Sequence, residues 1–222
     1  MNKTLELIWK TLINPKEAFD TIREEKPVYA ALIYLLLFGL VSVVSGHFAS
    51  QSLNLSSSMK DVPQNLLPFF NNFQNAIKSI ASSPMYFVIG MIAPYVSNFI
   101  SVSIYELLAQ FTIKKSNGLA LFTAWAFASI PMLIYKLLDL LFSVSMNYVL
   151  PGWVSSLFLI WEIVLLIIAI KEVYQTDAGT ATGIYFTPIV AIIVLVVLYI
   201  LFLLPAVSNL LKLMPPNGGL TP

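Results

Sequence analysis

The 222-residue chain has no cysteine. That excludes disulfides, thiolate metal sites and a cysteine nucleophile, and leaves the redox compartment open. It has a single histidine, His47, so two imidazoles cannot meet at a zinc ion. Charge is scarce: Asp, Glu, Lys and Arg make up 10% of the residues, against about 25% in an ordinary soluble domain. The formal net charge is +1 and no concentrated basic patch is present, so nucleic acid is not an expected partner. No phosphate loop, nucleophile elbow or zincin motif occurs. An enzyme is therefore not expected, and neither a cofactor nor a metal. A secretory signal peptide is also missing, since the first apolar run begins near Val28, is too long for an h-region and has no small-residue cleavage site after it.

What the chain has instead is apolar length. Hydrophobic residues make up 58% of it and the mean hydropathy is +0.84, which defines an all-α polytopic membrane protein whose main partner is the lipid bilayer. Most of the chain is consumed by spans, leaving room for one helical bundle over 1–222 and no separate globular domain. The clearest span runs from Leu119 to Phe142, with Lys136 and Asp139 its only charges. At about 1.5 Å per residue it crosses roughly 30 Å of hydrocarbon. Ala120, Ala124 and Ala128 form a small-xxx-small stripe that admits a close helix neighbour, and Pro131 predicts a kink.

Residues 1–27 carry Leu5, Ile8, Trp9 and Leu12 on one helical face and read as interfacial helices. Asn14-Pro15-Lys16-Glu17 is a helix start, with an Asn cap, Pro at the first position and Glu at the third. A five-span bundle over 28–205 follows, with spans near 28–45, 86–111, 119–142, 153–170 and 184–204. Leu66, Phe69, Phe70, Phe73, Ile77 and Ile80 recur at helical spacing between the first two spans and predict an interfacial helix on the opposite side. Residues 176–183 read as a small-residue loop holding Asp177, and 206–222 as a flexible tail. Five spans put the termini on opposite sides. Lys3, Lys10, Lys16, Arg23, Lys26, Lys114, Lys115 and Lys171 fall on one side, against Lys60, Lys78 and Lys212 on the other. The positive-inside rule then predicts a cytoplasmic N-terminus and an outside C-terminus.

Polar residues within spans are the only candidates for chemistry, because a charge at the bilayer centre costs about 2.5 kcal/mol or more. Asn98 and Glu106 lie on adjacent polar strips of the second span. Lys136 and Asp139 stand at i,i+3 near the outer interface, within snorkelling reach and able to pair. Glu162 is about nine residues, roughly 14 Å, into its helix and so close to the midplane. A carboxylate there must either neutralise or find a cation. Lys136, on the adjacent antiparallel span, is the cation within reach, so a Lys136–Glu162 pair is expected. A proton- or ion-carrying Glu162 is the alternative.

Three segments together resemble the Yip domain family of five-span membrane proteins: Asn14-Pro15-Lys16-Glu17-Ala18-Phe19; the Asn117-Gly118 turn into a span with Trp125 and Pro131; and the Trp161 span ending Ile168-Ala169-Ile170-Lys171-Glu172. The resemblance implies a five-helix bundle with a cytoplasmic N-terminus. Eukaryotic members resemble trafficking or membrane-shaping adaptors that act with Rab GTPases and with each other. This chain lacks their Asp-Leu-Tyr-Gly-Pro segment and long N-terminal region, so Rab binding is not expected of it. It is more similar to the short bacterial and archaeal members, which implies a prokaryotic cell membrane, and no catalytic residue carries over. Two functions fit: a non-enzymatic scaffold or adaptor working as a homo- or hetero-oligomer, or a small transporter or channel subunit using Glu162, Glu106 and Lys136. In the second case the small-molecule substrate is unknown.

Overall fold

The computed structural model describes residues 3–52, 66–146 and 148–213. Among them the chain is helical throughout its regular structure: α1 (Lys3–Ile13), α2 (Pro15–Glu25), α3 (Val28–Ser52), α4 (Leu67–Ala81), α5 (Pro84–Ile113), α6 (Gly118–Ala128), α7 (Ile130–Met146), α8 (Gly152–Tyr174) and α9 (Ala178–Leu213). Five segments are long and apolar enough to cross a membrane: Val28–Gln51, Pro84–Ile113, Gly118–Met146, Gly152–Tyr174 and Ala178–Phe202. Alternating spans place α1, α2 and the turns at 114–117 and 175–177 on one side, called the near side below. The helix α4 and residues 148–151 lie on the far side.

Local chemistry sets the helix ends. Asn14 accepts from the Glu17 N–H at 3.5 Å and donates to the Glu17 carboxylate at 2.8 Å, so cap and third residue satisfy each other. Pro131 cannot donate a backbone hydrogen bond. The third span accordingly breaks at Ser129, which separates α6 from α7, and the Ser129 hydroxyl donates to the Ala126 carbonyl at 2.8 Å. The expected loop at 176–183 is instead the start of α9, because Asp177 caps it: Thr180 donates to the carboxylate through its N–H at 2.9 Å and its hydroxyl at 2.5 Å. The Asp-x-x-Thr spacing at 177–180 carries that signal. The proposed tail at 206–222 is likewise helical as far as Leu213, its remainder lying outside the described residues.

Those Thr180 contacts hold the Asp177 carboxyl below the usual carboxylate range. A depressed folded-state value makes the cap contribute above the unfolded value and lose its effect as pH falls through the folded one. Hydrogen exchange should therefore show protection of the Thr180 amide at neutral pH that is lost on acidification; equal protection at both would remove this role from Asp177.

The bundle core forms where α3 packs on α5, α6 and α7, and where α8 packs on α2, α6, α7 and α9. Close packing depends on small residues. Ala120, Ala124 and Ala128 are fully buried on α6. At Gly39 on α3, an added Cβ would sit 3.2 Å from the Met91 carbonyl oxygen and 3.3 Å from that of Gly90, so α3 and α5 touch backbone to backbone. Interhelical hydrogen bonds add to this: Tyr95 to the Leu32 carbonyl at 2.9 Å, Asn98 to the Phe122 carbonyl at 3.2 Å, and Tyr105 to the Tyr185 carbonyl at 3.1 Å. Each contributes about 0.6 kcal/mol on average within a membrane.

The N-terminal helices dock on this core rather than standing apart. Ala18, Phe19 and Ile22 of α2 are fully buried. In α1 the packed face is Leu7 and Thr11, flanked by Ile8 and Leu12, while Leu5, Trp9 and Ile13 remain exposed. The expected single face of Leu5, Ile8, Trp9 and Leu12 is thus divided between core and surroundings, because α1 lies against α2 and α6.

Candidate functional site

The polar side chains of the spans separate into three levels. Near the near side, Glu106 sits about two turns before the end of α5. Its carboxylate accepts from the Tyr174 hydroxyl of α8, from the Asn117 N–H at 3.1 and 3.3 Å, and from Gln110 at 3.3 Å. Asn117 is the residue before α6, so one carboxylate ties α5, the following turn and α8. Cations surround the same end of α8. Lys115 donates to the carbonyls of Tyr174 and Gln175 at 2.7 and 2.9 Å, and Arg23, paired with Asp20 at 2.6 Å, donates to the Glu172 carbonyl at 3.1 Å. These contacts satisfy the open carbonyls of the helix terminus and meet its negative dipole end.

On the far side, Asp139 is buried at 6% exposure. It accepts from Ser45 of α3 at 3.0 Å and from the Leu150 N–H at 3.2 Å. It therefore does not snorkel as expected, and it forms no ion pair with Lys136 among the described residues: the Ser45 hydroxyl and the 148–151 segment reach it first. His47, a single ligand with no second imidazole, contacts the Ala81 carbonyl at 3.0 Å and joins α3 to the end of α4.

The middle level holds Glu162. The expected Lys136–Glu162 pair is not formed. Lys136 faces a cavity of about 340 Å³ with Ser42, Tyr86 and Gly90, on the far-side half of the molecule. Glu162 instead lines a separate cavity of about 140 Å³ with Leu35, Asn98, Trp125 and Ser129. Phe38, Pro94 and Ser97 line both cavities and stand between the two charges. The pair is expected from sequence distance alone, but the two side chains turn to different cavities, with residues of α3 and α5 between them. Asn98 is 5% exposed and spends its amide on the Phe122 carbonyl.

The carboxylates therefore differ in what they can do. Glu106 and Asp139 are saturated by donors and hold helices together. Glu162 has no hydrogen-bond or ion-pair partner among the described residues and is the group left available for chemistry. Tyr174 and Gly39 escaped notice in the sequence, while Lys115 counted there only as a loop charge and Ser45 only as the end of a span. Only Gly39 carried a signal there, through its seven-residue spacing from Gly46.

Five apolar helices, interfacial helices and polar groups turned inward define an integral membrane protein of the polytopic helical class. The family model described as the Yip1 domain matches residues 9–207, and the chain belongs to that family. No curated relative and no solved structure matches it.

Proposed function

We propose that this chain is a non-enzymatic membrane scaffold or adaptor that acts through helix packing and partner binding. The observation that carries the reading is α9: every residue from Ile189 to Phe202 is exposed, on all faces of the helix. It packs on α8 and α5, with Ala181, Ile184 and Tyr185 its buried residues. A helix apolar all round requires apolar surroundings all round. Lipid can supply them, and so can helices of another subunit, which makes α9 the natural contact for a homo- or hetero-oligomer. The basic near side supports a cytoplasmic N-terminus by the positive-inside rule. With α1 exposing Leu5, Trp9 and Ile13 there, the N-terminal helices would rest on the inner leaflet of a prokaryotic membrane.

The absence of native cysteine makes the test direct. Single cysteines at Ile192, Leu195 and Tyr199, and at Val190, Val194 and Val197, would be oxidised in native membranes. Disulfide dimers or heterologous adducts confined to one set of positions are the expected result. A chain that cross-links at no position, runs as a monomer in mild detergent and yields no partner on purification would overturn the reading.

A further inference from the structure

Glu162 lies about ten residues, roughly 15 Å, from the far-side end of α8, near the middle of the membrane. An ionised carboxylate there needs a cation, a set of donors or water. No cation or donor reaches it among the described residues, but it lines a cavity of mixed polarity with Ser97, Asn98 and Ser129, where the Asn98 amide and the Ser129 hydroxyl are already given to the Phe122 and Ala126 carbonyls and their oxygens are left to accept. At about 30 Å³ per water its volume of about 140 Å³ has room for about four waters, and the Glu162 carboxylate with the Ser97, Asn98 and Ser129 oxygens are the polar groups that would meet them.

The cavity has a direction. Leu35 and Asn98 line it toward the near side, and Asn98 is bonded to the Phe122 carbonyl there. Phe38, Pro94 and Ser97 line it toward the far side, where the second cavity begins. That second cavity reaches Tyr86, in the first turn of α5, and carries Lys136 on its wall. We infer that Glu162 is a proton-binding site at the membrane midplane, served by water from the far side through the cavity beside Lys136.

Lys136 decides the ligand. A metal cation entering from the far side must pass a fixed positive charge, whereas a proton can move along hydrogen-bonded water past it. The other titratable groups facing Glu162 are Tyr34 of α3 and Tyr185 of α9, both within its electrostatic reach. Tyr34 is engaged with the Ser129 hydroxyl at 3.1 Å. Neither α5 nor α6 brings a charge to this level, Glu106 lying about two turns nearer the near side.

Two measurements on the full chain in oriented vesicles test this. The first is the labelling rate of single cysteines at Ser97 and Ser129 by a small, membrane-impermeant methanethiosulfonate added on the far side, with Ile100→Cys, exposed at a similar depth on α5, as the lipid-facing control and Lys115→Cys to report sidedness. Both cavity positions should react at least tenfold faster than Ile100→Cys. The second is the protonated-carboxyl stretch in infrared difference spectra as the bulk pH is stepped. It should respond in wild type and be absent from a folded Glu162→Gln. Unreactive cavity cysteines with a working sidedness control, or a carboxyl band indifferent to bulk pH, would overturn the site. A titration that shifts when sodium replaces choline would overturn the assignment to a proton and give the site to a metal cation.

Discussion

Replacing Glu106 with alanine should lower the stability of the bundle by about 3 kcal/mol, measured by reversible unfolding in mixed micelles. The carboxylate receives the Tyr174 hydroxyl, the Asn117 N–H and the Gln110 amide. Hydrogen bonds to a charged acceptor are each worth about 1.5–3 kcal/mol, and truncating the acceptor leaves donors without partners. Gln110 is exposed and can turn to water, so its share is small. Tyr174 is 2% exposed and cannot, and Asn117 starts α6. The effect should accordingly concentrate in the junction of α5, α6 and α8. Tyr174→Phe removes a single donor and should cost about half as much, while Gln110→Ala should stay within about 0.5 kcal/mol. If Glu106→Ala proved as stable as wild type, the carboxylate would have no part in holding these helices, and its place would have to be sought in binding.

Ala124→Leu should be comparably damaging for the opposite reason. Ala124 is fully buried on α6, which packs against both α3 and α8. Three added carbons have no void to enter, and overpacking of this kind costs about 1–3 kcal/mol. In a membrane the penalty has a second component. Small residues set how near the helices come, and dispersion contacts made at that distance supply much of the association energy. Pushing α6 outward also stretches the Asn98 bond to the Phe122 carbonyl and the Tyr34 contact with Ser129. Ala191→Leu, on the exposed face of α9, adds the same carbons to a lipid-like surrounding and should be neutral. Equal melting temperatures for the two variants would mean that α6 does not set the helix spacing.

The two variants mark different degrees of legibility. Ala124 could be read from the four-residue repeat of Ala120, Ala124 and Ala128, because a helix converts that spacing into one stripe without help from the rest of the chain. Glu106 could be flagged as costly, yet its partner Tyr174 lies 68 positions away and nothing in either segment refers to the other. Asp139 and Lys136 show the same limit. Their i,i+3 spacing permits a pair, but Ser45, 94 positions before Asp139, reaches the carboxylate instead. Asp177 is a different kind of miss, since its cap is local and the Asp-x-x-Thr signature was present to be read.

By itself the sequence determined that the chain is an all-α membrane protein, where its five spans lie, and how α2 begins at Asn14. Each of these follows from hydropathy summed along a window or from contacts within one turn. The tertiary structure alone decided that Glu106 is tied to Tyr174, that Gly39 meets the backbone of α5, and that Lys136 and Glu162 line separate cavities. Those outcomes depend on how each helix is rotated about its axis, and rotation leaves no trace in the apolar content that hydropathy measures.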